Sequence, residues 1–118
     1  MASIWESQQD IAKYNALRDK VGRIINELEV ATRSAGSLEN ELASDYKVDN
    51  DSAKVSERAN SLNRGLSETA AYLKGTIIPS IDNAIAGVRQ DIYRMQEEER
   101  QREEEERRRR EEAELEEV

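Results

Sequence analysis

Apolar residues recur at alternating steps of three and four along most of this chain, and that period limits the possible folds more than any other feature. The first stripe comprises Tyr14, Leu17, Val21, Ile24, Leu28, Ala31, Ala35, Leu38 and Leu42. The second comprises Val55, Ala59, Leu62, Leu66, Thr69, Leu73, Ile77, Ile81, Ala84, Val88, Ile92 and Met95. Because an α-helix brings such residues to one side, the stripes predict two amphipathic helices packed along a seam. This argues against the disorder that a charged fraction of 37% would otherwise suggest.

The ends of the two helices are predicted from capping and turn residues. Ser3, with Glu6 three residues later, forms a capping box and places the start of helix one near residue 4. The polar cluster at residues 49–52 is typical of a turn followed by a helix start. We therefore expect helix one over about 4–44, a turn over about 45–50 and helix two over about 51–96.

Folding the chain back at this turn brings the two stripes into a common register. Leu38 then faces Ala59, and Ala31 faces Leu66. Pairing a large side chain with a small one fills a helix interface without overpacking. The pattern favours an all-α fold, a long antiparallel two-helix hairpin that resembles a coiled coil, over one unbroken rod.

Two residues interrupt helix two, Gly75 and Pro79, and an internal proline costs about 3 kcal/mol in a helix. Since the apolar stripe continues in phase beyond them, we expect a kink near residues 75–79 within a continuous helix. The alternative is a helix that ends there, with Ser80 or Asp82 capping a third helix.

Residues 97–118 differ in composition from the hairpin, with 12 Glu and 6 Arg. No apolar residue occurs between Glu97 and Glu112, so burial cannot hold this segment against the hairpin. Five Glu–Arg pairs four residues apart, beginning with Glu98 and Arg102, favour a charged, solvated helical C-terminal extension. Such a tail is either an inert solubilising extension or a strut that docks a basic partner.

The residue types that are missing exclude several classes of function. The chain has no His and no Cys, so it offers no imidazole base, thiolate nucleophile or ordinary zinc site. Asp45, Asp49 and Asp51 crowd the predicted turn, but no glycine follows at the spacing of a calcium loop, which favours helix capping. We expect no catalytic residue, no metal and no cofactor, and hence a protein that is not an enzyme.

Charge and hydropathy bear on location and partners. The net charge of -8 disfavours nucleic acid as a partner, and glutamates flank the run Arg107–Arg110 on both sides. No apolar run approaches the ~20 residues of a membrane span, and the N-terminal residues do not form a secretory signal peptide. We therefore expect a cytoplasmic protein, or one exported without a signal peptide in complex with a partner.

Four apolar residues lie beside the predicted seam and widen the apolar surface beyond what one helix pair buries: Trp5, Ile25, Ile78 and Ile85. A two-helix hairpin buries little surface and is marginally stable alone. We predict that these residues bind another helical protein or a second copy, in a dimer or a heteromeric four-helix arrangement. For Trp5 the alternative is a hydrophobic lid on the open end of the hairpin.

The segment Tyr93-Arg94-Met95-Gln96-Glu97 places an acidic residue four positions after an aromatic one, where the seam of helix two ends. With this segment, its two long helices and its helical extension, the chain resembles the WXG100-like proteins of type VII secretion. It looks closest to the small helical partners of LXG-type toxins, and it has no Trp-x-Gly turn. The resemblance implies an export motif at Tyr93 and Glu97.

The same resemblance implies a partner or targeting chaperone that pairs with the helical N-terminal region of an effector. The alternative hypothesis is a cytosolic structural or adaptor coiled coil that homodimerises. In that case Tyr93 and Glu97 form only the last turn of the seam.

Overall fold

The computed structural model describes residues 3–45 and 50–117, and the side chains of these ranges except Glu39, 42–45 and 50–53. Over these ranges the chain is all-α, has no strand and forms the predicted helical hairpin. Helix α1 spans Ile4–Asp45, α2 spans Asn50–Tyr72, a π-helical turn spans Leu73–Ile77, and α3 spans Ile78–Glu116. Residues 46–49 of the predicted connection and the side chains of Leu42, Asp45 and Asp51 lie outside the described part of the chain.

The N-terminal cap of α1 is the one that the sequence predicts. The backbone N–H of Glu6 donates to the Ser3 hydroxyl oxygen at 3.1 Å, and the N–H of Ser7 donates to the Ser3 carbonyl oxygen at 2.9 Å. The first bond satisfies a backbone donor that has no acceptor within the first turn of a helix, and the second is the first backbone bond of the helix itself. Helix α1 therefore begins at Ile4, as predicted.

A π-helical turn carries the second arm of the hairpin past Pro79. The N–H of Ile78 donates to the carbonyl oxygen of Leu73, five residues back, and the residues on both sides of the turn keep helical dihedral angles. Proline lacks an N–H and crowds the carbonyl four residues before it, so it cannot complete an ordinary α-helical turn. The wider π turn is how the helix accommodates this residue.

The predicted alternative of a third helix capped near Pro79 is wrong. The hydroxyl of Ser80 donates to the Thr76 carbonyl oxygen at 2.6 Å, a bond to the preceding turn and not an N-terminal cap. Helical structure continues without interruption from Asn50 to Glu116.

The π turn also adds one residue to the second arm and thereby rotates its apolar stripe. Before the turn, buried and half-buried residues follow steps of three and four up to Ile77. The next step of three leads to Ser80, which is exposed, whereas Ile81 is only 6% exposed. Since each residue turns an α-helix by about 100°, the extra residue returns the stripe of α3 to the seam.

The hairpin divides into two compact units, each with a segment of both arms. Unit 2 comprises Ala16–Asp82, and its buried apolar residues are Val21, Ile25, Ala70 and Ile81. Unit 1 comprises Met1–Asn15 and Asn83–Val118, and it buries Ile85 and Ser7. Helix α3 runs through residue 97, the predicted start of the tail, without a break.

In unit 2 nearly every second residue of the predicted stripe lies away from the seam, so the observed line of contact is rotated relative to the predicted one. Five large residues predicted for the seam are between 46% and 61% exposed: Leu17, Ile24, Leu38, Val55 and Leu62. At several positions of the predicted stripe the residue one position later is buried or half-buried, and these residues are Ile25, Thr32, Asn63 and Ala70. Leu38, which was predicted to face Ala59 inside the seam, is exposed instead.

Small side chains explain why this rotation is favourable. Thr32 and Ala70 are short, and Gly36 has no side chain, so the helices can approach closely along this line. The hydroxyl of Thr32 donates to the Leu28 carbonyl oxygen at 2.8 Å, which satisfies its polar group inside the seam. The hairpin thus includes short residues in its seam and leaves five of the predicted large apolar ones outside.

The C-terminal part of α3 is helical and solvated, as predicted. Every described side chain from Glu98 to Glu117 is exposed. The ion pairs differ from the predicted set, since Arg100 contacts Glu97 at 2.9 Å and Arg107 contacts Glu111 at 3.9 Å. Within this exposed segment the pair of Glu98 with Arg102 is not formed.

Candidate partner-binding surfaces

One side of unit 2 carries the large apolar residues that the seam leaves out. We call this surface the apolar face and define it by Leu17, Ile24, Leu38, Val55 and Leu62. On α1 the three members are separated by multiples of seven residues, and on α2 the two members are seven residues apart. A step of seven keeps residues on one line along a helix that packs in a coiled-coil manner.

The antiparallel arrangement puts these residues on the same side of the hairpin. Each precedes a seam position by one residue, as Ile24 precedes Ile25 and Leu62 precedes Asn63. In an antiparallel pair, residues that precede the seam line on either helix lie on one side, and residues that follow it lie on the other. The apolar face is therefore formed jointly by α1 and α2.

The opposite side of unit 2 is polar and is closed by two ion pairs. Glu29 and Lys74, which each follow a seam residue by one position, join α1 to the π turn. The hydrogen bond from Lys74, together with its charge, lowers the pKa of Glu29 below its ordinary value. Arg18 holds Asp82 through two hydrogen bonds of 2.8 and 3.5 Å, which raise the pKa of Arg18.

The edges of the apolar face carry opposite charges at the same level of the hairpin. A Cβ built on Gly36 would lie 3.9 Å from Nδ2 of Asn63, and this proximity fixes the register of the two arms. Glu41 lies five residues after Gly36 on α1, and Arg58 lies five residues before Asn63 on α2. Both side chains are exposed. Glu41 follows Leu38 by three residues, which places it at the outer edge of the face. Arg58 has the same relation to Val55 on the other edge.

The four predicted partner-binding residues have different surroundings. Trp5 is 67% exposed in unit 1, and Ile78 is half-buried directly after the π turn. Ile25 and Ile85 are each 5% exposed. Their predicted position outside the seam is wrong, because the seam passes through them and the hairpin already covers their side chains.

The predicted export motif lies on α3 within unit 1. Tyr93 is 66% exposed, so its ring is accessible. Glu97 is half-buried, and its carboxylate accepts a hydrogen bond from the Arg100 guanidinium at 2.9 Å. This bond raises the pKa of Arg100. A protein that recognises the Glu97 carboxylate therefore competes with an intramolecular cation.

No protein-family model, curated protein or solved structure matches this chain. Its surfaces must therefore be interpreted from their own chemistry. In the described ranges, acidic residues form no group of three or more that could hold a metal ion. No helix of the described chain is long and apolar enough to cross a membrane.

The apolar face was not among the predicted surfaces, because its residues have the spacing that predicts the seam. A signal was present in the residues that follow them. Thr32, Asn63 and Ala70 continue the same three-and-four spacing one position later, and Gly22 and Gly36 lie beside that line. Short residues beside large ones indicate which of two neighbouring lines permits close helix packing.

Proposed function

We propose that this chain is a non-catalytic helix-binding protein that pairs with helices of a larger protein. The observation that carries the proposal is the exposure of large apolar side chains outside the apolar face after the hairpin has closed, above all Trp5 at 67%. Exposed tryptophan is costly in water and is enriched among residues that dominate binding energy. A partner's helices would remove these side chains from water.

The setting that we propose is type VII secretion, on the basis of the Tyr93–Glu97 segment and the hairpin architecture. The exposure of Tyr93 supports a role for its ring as part of a recognition mark. Glu97 would contribute after its carboxylate is released from Arg100. In this proposal the partner is the helical N-terminal region of an effector, and Trp5 is an anchor for it.

A tagged pull-down from the native host, with bound proteins identified by mass spectrometry, tests this function. The expected result is stoichiometric recovery of a larger protein with a helical N-terminal region. A Trp5→Ser variant should lose that protein. A Val30→Ser variant should retain it, because Val30 is a comparably exposed apolar residue at 55% that belongs to neither Trp5's surroundings nor the apolar face.

The second candidate is a structural or adaptor coiled coil that associates only with itself, which the apolar face favours. Recovery of the tagged chain alone would support this candidate and overturn the effector hypothesis. Equal loss of the larger protein from both serine variants would contradict the assignment of Trp5 as the anchor.

A further inference from the structure

The apolar face of unit 2 has the dimensions of a small protein–protein interface. Leu17 and Leu38 bracket its α1 edge, and at 1.5 Å per residue the edge is roughly 30 Å long. Two adjacent helices, each about 10 Å across, make it about 20 Å wide. The face therefore presents on the order of 600 Å² per copy, or about 1,200 Å² for two copies, which is the lower end of the range for stable interfaces.

The charges at the edges of this face are complementary to the same face of a second molecule. Glu41 lies at the α1 edge and Arg58 at the α2 edge, at one level of the hairpin. A two-fold axis parallel to the helices leaves each residue at the same height along the hairpin in both copies. It places the α1 edge of one copy against the α2 edge of the other. Glu41 of each copy then lies opposite Arg58 of the other, so two ion pairs form at the rim.

We propose that the apolar face of unit 2 binds a second copy of this chain, with α1 of one copy packed on α2 of the other and the connections of both hairpins at the same end. In this arrangement Leu38 of one copy lies near the level of Leu62 of the other, inside the rim ion pairs. The interface uses neither Trp5 nor Tyr93, which belong to unit 1. The proposal therefore rests on the second candidate function, whose self-association it assigns to a defined surface, and it can succeed or fail independently of effector binding.

Sedimentation equilibrium of the purified full-length chain tests whether the face binds a second copy. We expect twice the chain mass at micromolar concentration for the native sequence. Leu62→Glu places a charge inside the face and should give a monomer that keeps its helical circular dichroism. Val30→Glu adds the same charge at an exposed site outside the face and should remain dimeric. A monomeric native chain, or a Val30→Glu variant that dissociates equally, would overturn the proposal.

Disulfide crosslinking tests the arrangement, and it is straightforward because the chain has no cysteine of its own. A mixture of Leu38→Cys and Leu62→Cys chains should give a crosslinked dimer under mild oxidation, whereas either variant alone should not. The opposite arrangement, with the connections at different ends, places α1 against α1 of the second copy. Efficient crosslinking of Ala31→Cys with itself, with no product from the mixture, would overturn the proposed arrangement.

Charge reversal tests the rim ion pairs. Glu41→Arg and Arg58→Glu should each weaken the dimer on the order of tenfold, because each single change makes two like-charge contacts across the two-fold axis. The double variant exchanges the two charges and should recover most of the native affinity. Additive weakening in the double variant would show that the two residues do not face each other and would contradict the arrangement.

Discussion

The carboxylate of Glu29 on α1 accepts a hydrogen bond from the ammonium group of Lys74 in the π turn. This contact lies on the side of unit 2 opposite the apolar face, and it links the two arms at the point where the second helix changes its hydrogen-bonding pattern. Both side chains remain substantially exposed, so solvent screens the pair.

The lowered pKa of Glu29 predicts a pH dependence with a definite sign. A carboxyl group whose pKa is lower in the folded state stabilises the fold above its unfolded pKa, about 4.3 for glutamate, and loses that contribution as pH falls through the folded value. Glu29→Gln should therefore reduce the melting temperature slightly at pH 7 and have a smaller effect below pH 4. Glu27→Gln, a change at an exposed glutamate of the same helix, is the control and should leave this part of the thermal-melting profile unchanged.

Two adjacent isoleucines should respond differently to truncation. Ile25 is 5% exposed and Ile24 is 46% exposed. Ile25→Ala leaves a cavity in the seam and should lower the free energy of unfolding by about 2–5 kcal/mol at any protein concentration. Ile24→Ala should cost about 1 kcal/mol or less within one hairpin.

Chemical denaturation at several protein concentrations distinguishes the two isoleucine variants. We expect the loss in Ile24→Ala to grow with concentration, because its side chain belongs to the interface with a second copy. If the two variants were equally destabilised at all concentrations, the assignment of Ile24 to an exposed face would be contradicted.

The extra residue of the π turn should be dispensable once Pro79 is replaced. In a Pro79→Ala background, deletion of Gly75 lets one continuous α-helix keep the stripes of α2 and α3 on the seam, so helicity and melting temperature should be retained. Deletion of Gly87 in the same background removes an equivalent exposed glycine where no π turn exists to absorb the change. That deletion rotates Val88, Ile92 and Met95 by about 100° away from the seam and should lower the melting temperature strongly. Similar melting temperatures for the two deletions would refute this account of the π turn.

Tyr93→Ala should leave the fold intact and abolish export of a bound effector. The side chain is 66% exposed, so its removal should change the free energy of unfolding by about 0.5 kcal/mol or less. Tyr72→Ala is the matched control, because Tyr72 is 57% exposed and has Thr76, not an acidic residue, four positions later. Export assayed from culture supernatants should continue with Tyr72→Ala, and continued export with Tyr93→Ala would remove the motif from the proposal.

Helix type and helix ends could be predicted because they depend on local sequence. The Ser3 cap lies where its capping box indicates, and the apolar period identifies both arms of the hairpin. The π turn was not predictable in form. Pro79 indicates a disturbance, but whether the chain bends, breaks or widens depends on the seam that the following residues must reach.

The side of each helix that faces the seam was harder to predict than the helices themselves. A broad apolar stripe contains two possible lines of contact, one through Ile24 and Leu62 and one through Ile25 and Asn63. Size of the apolar side chain favours the first line, whereas close approach of the backbones favours the second. Burial in the structure follows the second line. The residues of the apolar face were therefore present among the predicted core residues.

The exposed end of α3 has a calorimetric consequence. Its side chains from Glu98 to Glu117 cover no apolar surface, and the heat capacity of unfolding derives mainly from such surface. Melting this segment should therefore reduce the ellipticity while adding little to the heat-capacity change of unfolding. The chain should thus lose part of its helical signal gradually before the cooperative transition of the hairpin begins. Adding salt should enlarge that early loss by screening the glutamate–arginine contacts.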